Sequence, residues 1–327
     1  MLKSDFVQPV EDMLEAYHES FSIYPEVENV FAGLDWILKR RKFGTFAPSM
    51  LLIGGTGAGK SALIRYYIEH NLSGGEALIT RVRPTLRETL IWLIKELNVY
   101  KNPRSKASEI GLTDYVISSI KKAKLKLLVI EESQELFECT THRERQEIRD
   151  RLKMISDDCR IPIVFVGLPS VCLILEDSQW DRRIMVKREL PYVQILDKAS
   201  IVRYQQLLQA LKHSIPLPLD VELTDVDFAM RLLAATRGMV GMFKEIIAAA
   251  LESALIAQQS TINIVNFVEG YESFNGPCKS NPFSVEIENL IVEQIESYEK
   301  YIADADTGEL KFVGQMFKKL SIKQLLG

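Results

Sequence analysis

Met50-Leu51-Leu52-Ile53-Gly54-Gly55-Thr56-Gly57-Ala58-Gly59-Lys60-Ser61 decides the fold. Its first four residues are apolar, as expected of a short strand covered on both faces. The next eight fit G-x-x-x-x-G-K-[ST]. Glycines let backbone N–H groups curl inward around phosphate oxygens, and the helix that starts near Gly59 aims its positive end at the same anion. Lys60 reaches the β- and γ-phosphates, and the Ser61 hydroxyl ligates Mg²⁺. Residues Gly54, Gly55, Thr56, Gly57, Ala58, Gly59, Lys60 and Ser61 are therefore the expected contacts of ATP and its Mg²⁺. A chance glycine turn is a poor alternative, because the octet sits between a buried strand and a helix (Ala62 to His70).

A second signature lies downstream. Leu127-Leu128-Val129-Ile130-Glu131-Glu132 is an apolar strand that ends in paired carboxylates. One carboxylate can hold the metal's hydration shell, and the next can polarise an attacking water. Glu131 is the expected metal-side acid and Glu132 the expected general base. A strand near 77–82 falls between the two motifs in sequence. This suggests the branch of P-loop ATPases in which an extra strand separates the two motif strands. That branch usually carries aspartate at the first acid. Glu131 is one methylene longer, which matters because octahedral Mg²⁺ tolerates displacement poorly.

Around these motifs the chain alternates. Thr85–Leu97 and Thr140–Asp157 read as helices, and Ile161–Gly167 as a fourth strand. Alternation of this kind predicts an α/β fold with a parallel sheet and right-handed crossovers. After about residue 195 strand signals fade. Lys198–Lys212, Asp225–Ala235, Val240–Gln258 and Ile264–Phe274 read as helices, a smaller C-terminal lid. The expected division is 1–45 N-terminal extension and helix, 46–195 nucleotide-binding domain, 196–275 helical lid, and 276–327 linker and tail. In the tail, an acidic stretch over 284–306 is expected to be repelled by DNA. Phe312, Val313, Met316, Phe317 and Leu320 fall at three- and four-residue steps, which predicts an amphipathic helix that either docks a partner or packs back on its own domain or a neighbouring subunit.

Composition sets the outer limits. The chain has 327 residues, room for about two domains, and 47% of them are hydrophobic, which excludes disorder throughout. Forty basic against forty-four acidic side chains give a formal charge of −4. Bulk charge therefore cannot hold nucleic acid, and any grip must come from a local basic face or from many subunits together. Lys39-Arg40-Arg41-Lys42 and the lysines at 121, 122, 124 and 126 are such clusters, although each alone reads as a solvated helix end. Cys139, Cys159, Cys172 and Cys278 form no CxxC pair and no zinc pattern with the histidines. With no apolar start and no apolar run of about 18 residues, the expectation is a cytoplasmic protein without membrane contact.

With these phrases in order, the chain resembles AAA+ ATPases of the TniB/TnsC type, regulators of DNA transposition. Met50–Ser61, Leu127–Glu135 and Ile161–Ser170 carry the likeness, over about 25–270. The resemblance implies a P-loop AAA+ sheet flanked by helices with a helical lid. It also implies an ATP-bound ring or helical filament on duplex DNA that meets transposase subunits and a target-selector protein. Three further positions follow from it. Ser170 falls near the γ-phosphate sensor. Arg182 or Arg183 would be the arginine finger offered to a neighbouring subunit's nucleotide. Arg237, in Ala235-Thr236-Arg237-Gly238-Met239-Val240-Gly241, would touch the nucleotide from the lid. The competing readings are a nucleotide-gated loader or STAND-type signalling ATPase with no transposase partner, and a scaffold that barely hydrolyses.

Overall fold

The computed structural model describes residues 4–97, 108–138, 141–303 and 310–326. Five strands form one parallel sheet: β1 (Ser49–Ile53), β2 (Ala77–Arg81), β3 (Leu127–Glu131), β4 (Ile163–Gly167) and β5 (Ile184–Glu189). Their spatial order is β2-β3-β4-β1-β5. A strand does separate the two motif strands, but it is β4 and not the segment near 77–82, which forms the sheet edge. β3 and β4 are buried at every position, which explains their unbroken apolar runs. β5 escaped the sequence reading because it is the other edge: Ile184 and Val186 point inward, while Met185 and Lys187 are exposed. Met50 and Leu52 face one side of the sheet and Leu51 the other.

Three helices cover the Leu51 side: α4 (Leu86–Glu96), α5 (Glu109–Ala123) and α7 (His142–Cys159). Leu90, Val116 and Ile155 from them meet Leu128 and Phe165 of the sheet. α5 is a further element that the sequence reading did not draw. Thr85, Ser108 and Thr141 cap the three N-termini by accepting backbone N–H bonds. The opposite side is covered by α2 (Pro25–Arg40) and α3 (Lys60–Asn71), whose Val30, Leu34, Leu63 and Ile64 pack on Leu52 and Val129. Two short helices, α6 (Glu135–Glu138) and α8 (Ser178–Asp181), fill turns after β3 and before β5.

A second core lies in the helical region, built by α9 (Lys198–Lys212), α10 (Val226–Thr236), α11 (Val240–Ile256) and α12 (Ile264–Asn275). Asp197 with Ser200, and Asn263 with Asn266, close capping boxes on α9 and α12. Gly270 of α12 sits so near α11 that an added Cβ would lie 2.9 Å from the Ala250 nitrogen. The first helix, α1 (Ser4–Glu19), packs on α11: Tyr17 is buried there, and Lys244 Nζ donates to the His18 and Ser20 carbonyls.

The tail departs from the sequence reading. No helix spans 312–320. The described residues form β6 (Ile291–Ser297), β7 (Lys300–Ala303), β8 (Leu310–Val313) and β9 (Met316–Ser321), followed by the short α13 (Ile322–Leu326). β6 pairs with β9 and β7 with β8, both antiparallel. The residues read as a helical stripe are not one face, since Phe312 and Met316 are exposed. The reason lies in pairing across sequence. Glu293 stands opposite Lys319, and its carboxylate also reaches Arg237. Glu293 of the acidic stretch and Lys319 of the lysine-rich end are thus cross-strand partners. Nor is the segment a free appendage: Leu290 and Val292 join the helical core and Ile295 the core beneath the sheet. Cys159, Cys172 and Cys278 are unpaired, and Cys139 lies outside the described residues. Among the described residues no helix is long and apolar enough to cross a membrane.

Candidate functional site

β1 delivers the chain into the loop, and α3 leaves it at Lys60. Gly57 and Gly59 adopt φ of 77° and 88°, values that L side chains rarely take. An added Cβ at Gly54 would meet the Leu190 carbonyl oxygen at 2.5 Å, whereas one at Gly59 would meet nothing within 4 Å. The loop is therefore held tightly at Gly54 and has free space at Gly59. The first-turn N–H groups of α3 have no intrahelical acceptors. Lys60 folds back so that Nζ donates to the Gly54 and Gly55 carbonyls at 2.8 and 2.9 Å. Burial lowers its pKa, and the nearby carboxylates of Glu132, Glu299 and Glu131 act in the opposite direction.

β3 brings the two expected acids to the same place. Glu131 is 5% exposed, and its Oε1 is buried with no hydrogen-bond partner among the described residues. Its Oε2 lies 3.9 Å from Arg65. A buried anionic oxygen without a donor is costly unless a cation meets it, so Glu131 fits the metal-side role. Glu132 leaves the strand in left-handed conformation, φ 49°, and its Oε2 accepts from Gln134 Nε2 at 2.5 Å. Gln134 Oε1 accepts from the Leu168 backbone N–H at 3.1 Å, which fixes the amide's orientation. An added Cβ at Gly167 would lie 2.4 Å from that Oε1. Ser133 completes the link: its N–H bonds to Val166 of β4 and its hydroxyl to Ile130 of β3. Ser133 and Gln134 thus join the acid pair to the end of β4. The sequence shows them only as polar neighbours of the acids. Ser170 lies in the 3-10 turn after β4, its hydroxyl oxygen buried without a partner.

The structure separates the remaining expected residues. Arg183 is bound in place: it pairs with Asp157 at 2.7 Å, donates to the Gln179 carbonyl, and lies over the Phe46 ring. Arg182 is exposed and makes no ion pair among the described residues. Of the two, Arg182 is the exposed one, and Arg183 is the one held by Asp157. Arg237, in left-handed conformation at the end of α10, turns away from the loop to Glu293 at 2.8 Å, in a cavity lined by lid and tail residues. The lid meets the loop through Gly241 instead, whose N–H donates to the Gly57 carbonyl at 2.9 Å.

Two features were not legible beforehand. An apolar cavity of about 110 Å³ opens between the loop and the lid, lined by Tyr24, Val27, Ala58, Gly59, Leu207 and Val240. Its position beside Ala58 and Gly59 suits a base, but its lining reads in sequence as ordinary core. On another face, Arg41, Lys42, Lys121, Lys124, Lys126 and Arg160 line one cleft. The two lysine-rich clusters thus converge although they lie far apart in the chain. Arg41 holds the cleft's floor by donating to the Leu125 and Lys126 carbonyls.

The tail reaches the phosphate loop itself. Glu299 Oε1 accepts from the Thr56 hydroxyl at 2.5 Å and from its N–H at 3.3 Å. Tyr298 lies against Gly55, where an added Cβ would be 2.7 Å away, and its hydroxyl accepts from the Tyr192 N–H. Gln315 donates to the Tyr192 hydroxyl, which donates to the Thr56 carbonyl.

Several solved structures share the fold. Cdc6p from Pyrobaculum aerophilum superimposes with a TM-score of 0.59 at 15% identity, covering 84% of this chain and 74% of that one. The Aeropyrum pernix ORC2 protein, solved in ADPNP and ADP complexes, gives 0.57 at 13% identity, with 82% and 74% covered. The A. pernix ORC1 protein, solved in complex with DNA, gives 0.56 at 17% identity, with 78% and 66% covered. At such identities the likeness concerns the fold, an AAA+ sheet with a C-terminal helical region. No curated protein matches the sequence. The model of the bacterial TniB protein family matches residues 13–195, from within α1 through the sheet. The chain belongs to the TniB family.

Proposed function

We propose that this chain is an ATP-hydrolysing regulator of transposition that assembles on duplex DNA. The observation that carries the reading is the arrangement at the start of α3: Lys60 folds onto the Gly54 and Gly55 carbonyls of the loop, and β3 ends beside the same helix in Glu131 and Glu132, with the Glu131 carboxylate 3.9 Å from Arg65. Residues 54–61 would hold the phosphates, with Ser61 and Glu131 on the Mg²⁺ side. The bound metal supplies charge neutralisation at the phosphates. Glu132 takes a proton from water, held in place by Gln134. Arg182 reaches the nucleotide of an adjoining subunit, which makes turnover depend on assembly. Membership of the TniB family supports the further steps: a ring or filament on DNA, recruitment of transposase subunits, and response to a target-selector protein. The basic cleft supports the DNA contact, since repeated in an assembly it would add phosphate contacts subunit by subunit. The loader or STAND-type reading shares the fold but has no use for a transposase.

ATP turnover measured with and without duplex DNA tests the proposal. The expected result is a slow basal rate, a rise with DNA and protein concentration, and loss by orders of magnitude in Glu132→Gln with ATP still bound. Turnover indifferent to DNA and to concentration would favour the loader reading.

A further inference from the structure

We propose that Glu299 stands in for the terminal phosphate of a nucleoside triphosphate, so that the C-terminal strands gate the site against triphosphates. The inference rests on the nucleotide reading above and adds a regulator to it. Three independent observations lead there. First, the connection Tyr298–Glu299, between β6 and β7, lies on the loop: the Glu299 carboxylate takes both the hydroxyl and the N–H of Thr56, and the Tyr298 ring covers Gly55. Second, the side of the loop it occupies is defined by Lys60. That lysine reaches toward β- and γ-phosphate in a P-loop; its Nζ lies on the Gly54 and Gly55 carbonyls, and Glu299 bonds the next residue, Thr56. Glu299 thus lies on the lysine's side of the loop, and it does not line the apolar cavity beside Gly59. Third, Thr56 holds the carboxylate through one oxygen. Glu299 is 5% exposed, and its Oε2 is buried with no hydrogen-bond partner among the described residues. A buried anion half satisfied is a contact poised to be exchanged, because leaving costs little and an incoming anion takes over the donors.

The rest of the module explains how the gate is hung. Glu293 pairs with Arg237 of the lid, and Gln194 donates to the Ile295 carbonyl, so β6 is fastened to both cores. A terminal phosphate cannot enter while a fixed carboxylate holds its place beside two others, since like charges at short range repel. A diphosphate stops short of that position and leaves the gate closed. Triphosphate binding therefore carries the cost of opening, and its apparent affinity falls by the fraction of molecules that are open. The strands released by triphosphate become a nucleotide-dependent surface for assembly.

Equilibrium binding of fluorescent ATP and ADP analogues to the full chain tests this, with wild type, Glu299→Gln and Lys60→Ala compared. The amide keeps size and hydrogen bonding but drops the charge, so the fold is retained. Glu299→Gln is expected to bind the triphosphate roughly ten-fold tighter and the diphosphate within about two-fold of wild type. In hydrogen–deuterium exchange, a non-hydrolysable ATP analogue is expected to deprotect 298–303 and 310–313 in wild type, while ADP does not. Lys60-dependent binding with an unchanged ATP-to-ADP ratio in Glu299→Gln overturns the gate and leaves the nucleotide site standing. So does protection of 298–303 that persists with the triphosphate bound. Absence of Lys60-dependent binding of either nucleotide overturns the site reading and the gate with it.

Discussion

Replacing Gln134 by leucine is expected to slow ATP turnover without weakening ATP binding. Two bonds disappear together: Nε2 to Glu132 Oε2, and the Leu168 N–H to Oε1. Orphaning a buried N–H costs about 1–3 kcal/mol, and a bond to a charged group is worth about 1.5–3 kcal/mol. The two share one side chain and are not additive, so a loss of about 2–4 kcal/mol is expected, visible as a melting point roughly 4–10 °C lower. The kinetic effect has a separate origin. Glu132 sits at φ 49°, a strained position that its surroundings must hold. Without Gln134 its carboxylate samples other rotamers, and kcat is expected to fall about ten-fold with KM unchanged, the mark of a contact that matters in the transition state. Gln134→Glu is the companion test. Its carboxylate still accepts from Leu168 but sets a like charge against Glu132. It should therefore turn over more slowly than wild type and lose thermal stability as well, because a buried carboxylate beside another is costly. Steady-state ATPase assays and thermal melts on the same preparations decide the matter. A folded Gln134→Leu protein with wild-type kcat would refute the positioning argument.

Other outcomes follow from single side chains. Lys60→Ala should abolish binding of a fluorescent ATP analogue, since its Nζ is the cation facing the open loop. Arg182→Ala should remove the rise of ATPase rate with protein concentration and leave the melting point unchanged. Arg183→Ala should lower the melting point by breaking the Asp157 pair. Changing Lys121, Lys124 and Arg160 to alanine should weaken duplex DNA binding evenly across sequences and reduce its salt slope by about 1 per residue, with nucleotide affinity intact. At Glu299, burial raises the carboxyl pKa, but the bonds from Thr56 and Gln315 outweigh it and leave it below the ordinary value of 4.5. A depressed pKa stabilises the closed tail above the unfolded value, and the effect is lost as pH falls through the folded one. Peptic cleavage within 291–303 should therefore rise in wild type as pH falls through the depressed folded value, below 4.5, with Glu299→Gln cleaved to the same extent throughout.

What the sequence disclosed is what the chain keeps contiguous. A phosphate loop needs its glycines, lysine and serine in one turn between a buried strand and a helix, so MLLIGGTGAGKS carries both the chemistry and its context. The strand ending in Glu131-Glu132 is equally local, and the lid helices declare themselves by period and caps. β5 was missed because an edge strand shows half the apolar signal: Ile184 and Val186 alternate with Met185 and Lys187 among other charges. The choice between Arg182 and Arg183 was closed to sequence reading, since adjacent arginines differ only in that Asp157, on α7, reaches one of them.

The tail shows a deeper limit. Phe312, Val313, Met316, Phe317 and Leu320 satisfy a helical period, and two short strands joined at Gly314-Gln315 satisfy it equally well, because short apolar runs do not distinguish the two. What decides is the partner. Lys319 of β9 stands against Glu293 of β6, so the acidic stretch that seemed to repel DNA contributes one acid to an internal pairing. A run of like charge is evidence about a surface only when nothing elsewhere in the chain neutralises it. The same correction acts in reverse at the basic cleft, where residues 41–42, 121–126 and 160 reinforce one another across three segments. Each cluster alone is an ordinary solvated helix end. Together they form a concave cationic surface, and Glu76, paired with Lys126, is the acid set against it. Charge at both places is therefore a property of the fold, and reading it required knowing which distant segments the sheet brings together.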